Sequence, residues 1–204
     1  SVNKKYDNKV AVLLGDYLLS LSLAQAAQTR NLDAVSIIAR LGGTLSEGEI
    51  FQLENIDNEV LSESAYFRIV ERKTAALFSA CAQLGAISVG ADAKCVETAR
   101  RLGEIIGVCF QIRDDIFDYY KEDIGKPTGN DLREGKFTLP AIYAITNNPS
   151  PRMNDLVKRV KQQQATTEEI EEIIEFTKVN GGIEYAEQKM VELRDEALQL
   201  LADF

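Results

Sequence analysis

The segment Phe110–Pro140 reads FQIRDDIFDYYKEDIGKPTGNDLREGKFTLP, and its first half decides the fold. Gln111, Asp114, Asp115 and Asp118 stand at i, i+3, i+4 and i+7, a spacing that makes one continuous stripe only on an α-helix. The neighbouring stripe, Ile105, Cys109, Ile112 and Ile116, is apolar and reads as the face turned to a core. Like charges four residues apart destabilise an isolated helix by about 0.2–0.5 kcal/mol per pair, and no basic side chain interrupts this stripe. Either the aspartates form a solvated acidic face or they hold a divalent cation. Three on one stripe favour the cation. Oxygen donors without nitrogen or sulfur select Mg²⁺, with Mn²⁺ as the alternative. The glycine- and lysine-bearing loop that follows supplies the charge that an anion on such a cation would meet.

Composition narrows the chemistry further. The chain has 204 residues, 45% hydrophobic and 27% charged, which is ordinary for one globular domain with a real core. Its net charge of −9 makes nucleic acid an improbable partner, because phosphate backbones require a basic face. The chain contains no histidine, and Cys81, Cys95 and Cys109 show no Cys-x-x-Cys spacing. A zinc site and a histidine-based triad are therefore both improbable. The cysteines read as small core residues in a reducing compartment. No signal sequence opens the chain and no apolar run of 18 residues is expected, so the expected location is the cytoplasm.

Strand alternation is absent and helical spacing recurs almost everywhere. Helices are expected at 9–29, 33–55, 63–86, 92–121, 135–146, 152–163, 167–179 and 183–203. Asp33 is a candidate cap for the second, and Thr166 with Glu169 forms a capping-box pattern for the seventh. Gly181–Gly182 marks a helix end, and Pro127 and the NNPSP segment at 147–151 are breaks. Gly15 and Asp16 interrupt the apolar run of the first helix and read as a close helix contact with a paired aspartate. The fold class that follows is all-α, a single domain of long helices around a central cavity.

The second chemical signal is Lys73. A core stripe at heptad spacing reads Tyr66, Val70, Lys73, Leu77, Ala80 and Leu84, and the lysine takes an apolar place in it. Such a side chain snorkels to the surface or points inward, where an ammonium requires a negative partner. A phosphate on the aspartate-bound cation is such a partner. Lys126 and Lys136, in and after the loop, add two more point charges for it.

The segments NKVAVLLGDYLLS, GEIFQLEN, ERKTAALFSACAQLGA, FQIRDDIFDY and GKPTGNDLREGKFTLP, in this order, resemble the trans-isoprenyl diphosphate synthases, or polyprenyl synthetases. The resemblance spans essentially the whole chain. It implies an all-α bundle around a deep cavity, usually homodimeric, that joins an allylic diphosphate to isopentenyl diphosphate and releases pyrophosphate. It implies Mg²⁺ on Asp114, Asp115 and Asp118, and the allylic diphosphate on Lys73 and Lys126. The Thr74 backbone and the Gln111 amide are implied to face the developing allylic cation or to help collect the proton lost afterwards. At most a peripheral membrane contact is implied, for release of a greasy product. GNDLREGKFTLP looks like the medium- and long-chain members.

The family's first aspartate-rich motif and its arginine pair are not found upstream of the Gly15–Asp16 helix. The resemblance therefore implies a chain truncated at its N-terminus, and at its C-terminus after LLADF. On that reading two of three metal sites and the isopentenyl diphosphate site lie elsewhere, and the chain alone condenses nothing. Two other readings stay open: a regulatory partner subunit that natively lacks one metal motif, and a class I terpene cyclase. The intact Lys73, Gln111 and all-aspartate motif argue against both.

Overall fold

A computed structural model describes residues 2–56, 60–120 and 128–202. Among them the chain is all-α, with no strand. The helices are α1 (Val2–Lys5), α2 (Asn8–Gln28), α3 (Leu32–Ile56), α4 (Glu63–Val70), α5 (Ala76–Ser88), α6 (Ala93–Phe117), α7 (Asn130–Arg133), α8 (Leu139–Asn147), α9 (Pro151–Lys161), α10 (Thr167–Val179) and α11 (Gly182–Leu201). A five-residue π turn, Glu71–Ala75, joins α4 to α5.

Helix α6 is the axis of the molecule, packed by α5, the π turn, α8 and α11. Its expected apolar stripe is the buried one: Ile105, Ile112 and Ile116 are all inside. Each such isoleucine contributes about 1.5–3 kcal/mol by leaving water. Gly107 sets the closeness of the packing, since a Cβ there would stand 2.5 Å from the Ala75 Cα. Helices α8, α9, α10 and α11 complete the core through Leu139, Leu156, Ile173 and Ile183.

Several expectations need correction. The helix expected over 63–86 carries the π turn, whose extra residue advances every later side chain by about 100°. The heptad stripe is therefore broken at Leu77, which is 47% exposed while Ala75 is fully buried, although Ala80 further along it is buried. Helix α6 stops at Phe117, with Asp118 as its C-cap. The helix expected over 135–146 starts only at Leu139, because Pro140 suits the first turn and has no amide hydrogen to donate within a helix. Helix α3 is capped by Asn31, whose Oδ1 accepts from the Ala34 amide, and Asp33 lies in its first turn. The Thr166–Glu169 capping box forms as read, and Ser150 caps α9 after the NNPSP connection. Pro127 lies outside the described residues.

The cysteines are less buried than a core reading requires. Cys81 is exposed, and Cys95 and Cys109 are half-buried. Helix α2 departs furthest from expectation. By length and composition it is long and apolar enough to cross a membrane, contrary to the reading that no such run exists. Among the described residues its apolar side chains are largely uncovered, Val12, Leu13 and Tyr17 each by more than 60%. Nothing lies within 4 Å of a Cβ placed at Gly15, so the close contact expected there is not made among the described residues.

Candidate active site

A cavity of about 220 Å³ opens between α3, the π turn, α6 and the segment Asp131–Thr138. That is the scale of a polar headgroup, below the roughly 300–1,000 Å³ of sites that enclose a whole ligand. Its wall includes Gln52, Tyr66, Lys73, Thr74, Gln111, Asp115, Asp131, Lys136 and Lys161. The sequence reading thus brings Lys73, Thr74, Gln111, Asp115 and Lys136 to one place. Lys126 lies outside the described residues.

A hydrogen-bonded chain runs across the cavity wall. The Thr74 hydroxyl donates to Gln111 Oε1 at 2.8 Å, and Gln111 Nε2 donates to Asp115 Oδ1 at 2.7 Å. The Tyr66 phenol donates to the other oxygen, Oδ2, at 2.7 Å. Every polar atom in the chain has its geometry fixed by the next, so the amide and hydroxyl cannot turn independently. The π turn makes this possible, because it carries Thr74 towards α6 while Lys73 turns to α3.

The three aspartates of the motif take three different environments. Asp115 is 3% exposed. Burial pushes its carboxyl up to about 7 against the opposing pull of the Tyr66 and Gln111 hydrogen bonds, and the charges of Asp131 and Asp114 add to the rise. Asp114 is exposed on the neighbouring turn. Asp118 is half-buried and already engaged: its carboxylate accepts from the Asn130 and Asp131 amides at 3.0 and 3.1 Å. The expected ligand stripe therefore spans three environments, and Asp118 carries two amide hydrogen bonds besides any metal it would hold. The i+7 aspartate ties the end of α6 to the start of α7, since free amides at a helix start draw a carboxylate.

Sequence reasoning missed Asp131, which lies opposite Asp115. Burial, followed by the Asp118 charge, pushes its carboxyl up to about 6, while Lys136 opposes the rise. Lys136 is itself paired with Glu134 at 2.6 Å. Tyr66 was also missed in this role. Its place seven residues before Lys73 put it on the same stripe, but only the fold shows that its hydroxyl meets Asp115.

These donors fit a divalent cation. They are carboxylates without nitrogen or sulfur; the charges of Asp131 and Asp114 push the Asp115 carboxyl up, and those of Asp118 and Asp114 push Asp131 up, a repulsion that a cation would relieve. Among the described residues no three acidic side chains stand close enough to enclose an ion. A hard cation here would be held by one or two carboxylates and by the oxygens of a ligand, as Mg²⁺ commonly is.

The core is all-α, and buried Asp115 shares one cavity with Asp131, Lys73 and Lys136. The chain belongs to the polyprenyl synthetase family, whose model matches residues 1–177. It is 36% identical over 186 residues to heptaprenyl diphosphate synthase component 2 of Bacillus subtilis, covering 90% of this chain and 52% of that protein. The chain thus spans about half the length of that relative. A geranylgeranyl pyrophosphate synthase structure from Bacteroides thetaiotaomicron superposes with a TM-score of 0.93 at 49% identity, covering all of this chain and 68% of the other. A polyprenyl synthase structure from Caulobacter crescentus, complexed with calcium and isoprenyl diphosphate, gives 0.90 at 32% identity over 99% of this chain and 62% of that one.

Proposed function

We propose that the protein is a prenyltransferase that joins an allylic diphosphate to isopentenyl diphosphate and releases pyrophosphate. The observation that carries the reading is the convergence of Lys73, Lys136, Asp115 and the Thr74–Gln111 pair on one cavity. Lys73 and Lys136 bind and orient the allylic diphosphate as point charges, with Lys126 as a further proposed contact. Asp114 and Asp115, with Asp131 nearby, would hold Mg²⁺. When bound, the metal neutralises charge on the departing pyrophosphate. Asp118 supports this set by fixing the α6–α7 junction.

Leaving-group departure creates an allylic cation, and fixed dipoles lower the barrier when aimed at it before reaction. The Gln111 amide and the Thr74 backbone would take that role. Ile69, Val70 and Ile142 line the same cavity and exclude water that would quench the cation. The calcium and isoprenyl diphosphate in the Caulobacter crescentus structure support a divalent metal and a prenyl substrate in this fold. The relatives' names support a medium- or long-chain product, from geranylgeranyl length upward.

The exposed apolar side chains of α2, Val12, Leu13 and Tyr17 among them, support homodimerisation, because clustered exposed apolar residues commonly mark an interface. We place the protein in the cytoplasm, in at most peripheral contact with a membrane. The likeness to a protein named as one component of a synthase favours a second arrangement, pairing with a different subunit. The test is product analysis of the full-length protein with labelled isopentenyl diphosphate, an allylic primer and Mg²⁺, with and without a co-purifying subunit. Elongated product lost on Lys73→Ala supports the reading; incorporation indifferent to Lys73 and Asp115 contradicts it.

A further inference from the structure

Gly48–Glu49–Ile50–Phe51–Gln52 on α3 stands apart from the carboxylates, yet it meets the cavity at one point. The Lys73 ammonium lies 2.6 Å from Glu49 Oε2 and 2.5 Å from Gln52 Oε1. Residues 49 and 52 are one turn apart on the same helical face. An ammonium has three N–H donors. Among the described residues these two acceptors engage two of them, which leaves the third for the cavity.

We infer that Glu49 and Gln52 are positioning residues for Lys73, a clamp on α3 that aims its ammonium at the diphosphate. The inference rests on the proposed function for its ligand, but the clamp itself is a feature of the ligand-free protein. Gly48 supplies the closeness it needs: a Cβ there would stand 2.7 Å from the Arg72 Cβ and 3.1 Å from the Lys73 Cγ. The π turn supplies the direction, by rotating Lys73 out of the heptad stripe towards α3. Stability does not account for the pair, since the Glu49 side chain is 54% exposed and exposed ion pairs contribute little. Pre-ordering a four-rotor side chain does account for it, because ordering such a chain on binding weakens association by about three- to tenfold.

A simple counter-ion role predicts the opposite sign. Removing a carboxylate beside an anion site tightens anion binding by Coulomb's law, whereas removing a clamp weakens it. The experiment titrates Mg²⁺–pyrophosphate calorimetrically into the protein and its Glu49→Ala, Glu49→Gln, Gln52→Ala and Lys73→Ala variants. In parallel, competitive acetylation measures the reactivity of Lys73 without ligand.

The expected result has four parts. Glu49→Ala and Gln52→Ala each weaken binding about three- to tenfold. Glu49→Gln, which keeps an acceptor, recovers part of the loss. Neither alanine change has a further effect in a Lys73→Ala background. Lys73 acetylates several-fold faster in both alanine variants. Tighter binding in Glu49→Ala, or acetylation unchanged in both variants, overturns the clamp. Faster acetylation with Mg²⁺–pyrophosphate binding unchanged in Lys73→Ala shows a real contact that serves no diphosphate; that outcome overturns the positioning role together with the assigned function of Lys73.

Discussion

Tyr66 on α4 donates its phenol hydrogen to the carboxylate of Asp115 on α6 across 2.7 Å, with both side chains buried. The two residues are 49 positions apart in sequence, and their bond fixes one end of the Thr74–Gln111–Asp115 chain. Tyr66→Phe deletes the donor without changing the ring. A hydrogen bond to a charged partner is worth about 1.5–3 kcal/mol, so denaturant unfolding should show a loss of that order. If Asp115 needs the phenol only for stability, kcat survives. If the bond aims the Gln111 amide, as the geometry implies, kcat falls by about tenfold or more while the KM for the allylic substrate moves less.

The carboxyl of Asp115 is raised from an ordinary 3.8 to about 7, and that of Asp131 to about 6. Between those values the folded protein binds more protons than the unfolded chain, so stability falls as pH rises. The contribution is complete below about pH 4 and is lost as pH passes 6–7. Asp115→Asn keeps acceptor capacity towards Tyr66 but removes the titration. Thermal unfolding without metal from pH 4 to 8 should show a downward trend that flattens in Asp115→Asn. At pH 8 the variant should be the more stable protein, yet inactive. A wild-type profile flat through this range would contradict the burial assigned to both aspartates.

Asp118 separates two readings of the motif. As a clasp it accepts from the Asn130 amide with Oδ1 and the Asp131 amide with Oδ2, so Asp118→Asn keeps one bond, sets its NH2 against the other amide, and should lower stability while leaving the Mg²⁺ dependence of turnover unchanged. Asp118→Ala should lose about 1–3 kcal/mol and, with it, the placement of Asp131. As a direct metal ligand, Asp118→Asn would be as damaging as Asp114→Asn. Mg²⁺ dependence of turnover in the three variants distinguishes these cases.

Gly107 is where α6 touches the π turn most closely. Its replacement by alanine drives a methyl to 2.5 Å from the Ala75 Cα. Backbone is in the way, so the helices must separate, and overpacking of this kind costs about 1–3 kcal/mol. The same separation pulls Thr74 from Gln111. A Gly107→Ala protein with unaltered stability and turnover would show that the close approach is not needed.

Much of this was legible in the sequence, and the failures have physical causes. The capping box at Thr166–Glu169 and the buried stripe of Ile105, Ile112 and Ile116 came through because both are local and both follow regular helical geometry. Leu77 was misplaced because heptad counting assumes an unbroken repeat of 3.5 residues per turn, and one extra residue at Glu71–Ala75 breaks that count. The second engagement of Asp118 was not legible because its partners, the amides of residues 130 and 131, come from a turn that no helical periodicity describes. Asp131 carried no spacing signal; its closeness to Asp115 is made entirely by the fold. Lys73 was singled out correctly as an anomalous cation on an apolar stripe, although its grip by Glu49 and Gln52 required knowledge of which helix packs against it.

The central claim is that the cavity between Lys73, Lys136 and Asp115 holds a metal-bound diphosphate. A crystal structure of the protein with Mg²⁺ and a non-ionisable allylic diphosphate analogue tests this most directly. The expected result is phosphate oxygens within hydrogen-bonding distance of the Lys73 and Lys136 ammonium groups, and a metal shared between those oxygens and Asp114 or Asp115. Analogue density elsewhere on the molecule, with Lys73 still bound to Glu49 and Gln52 and its third hydrogen facing an empty cavity, would contradict it.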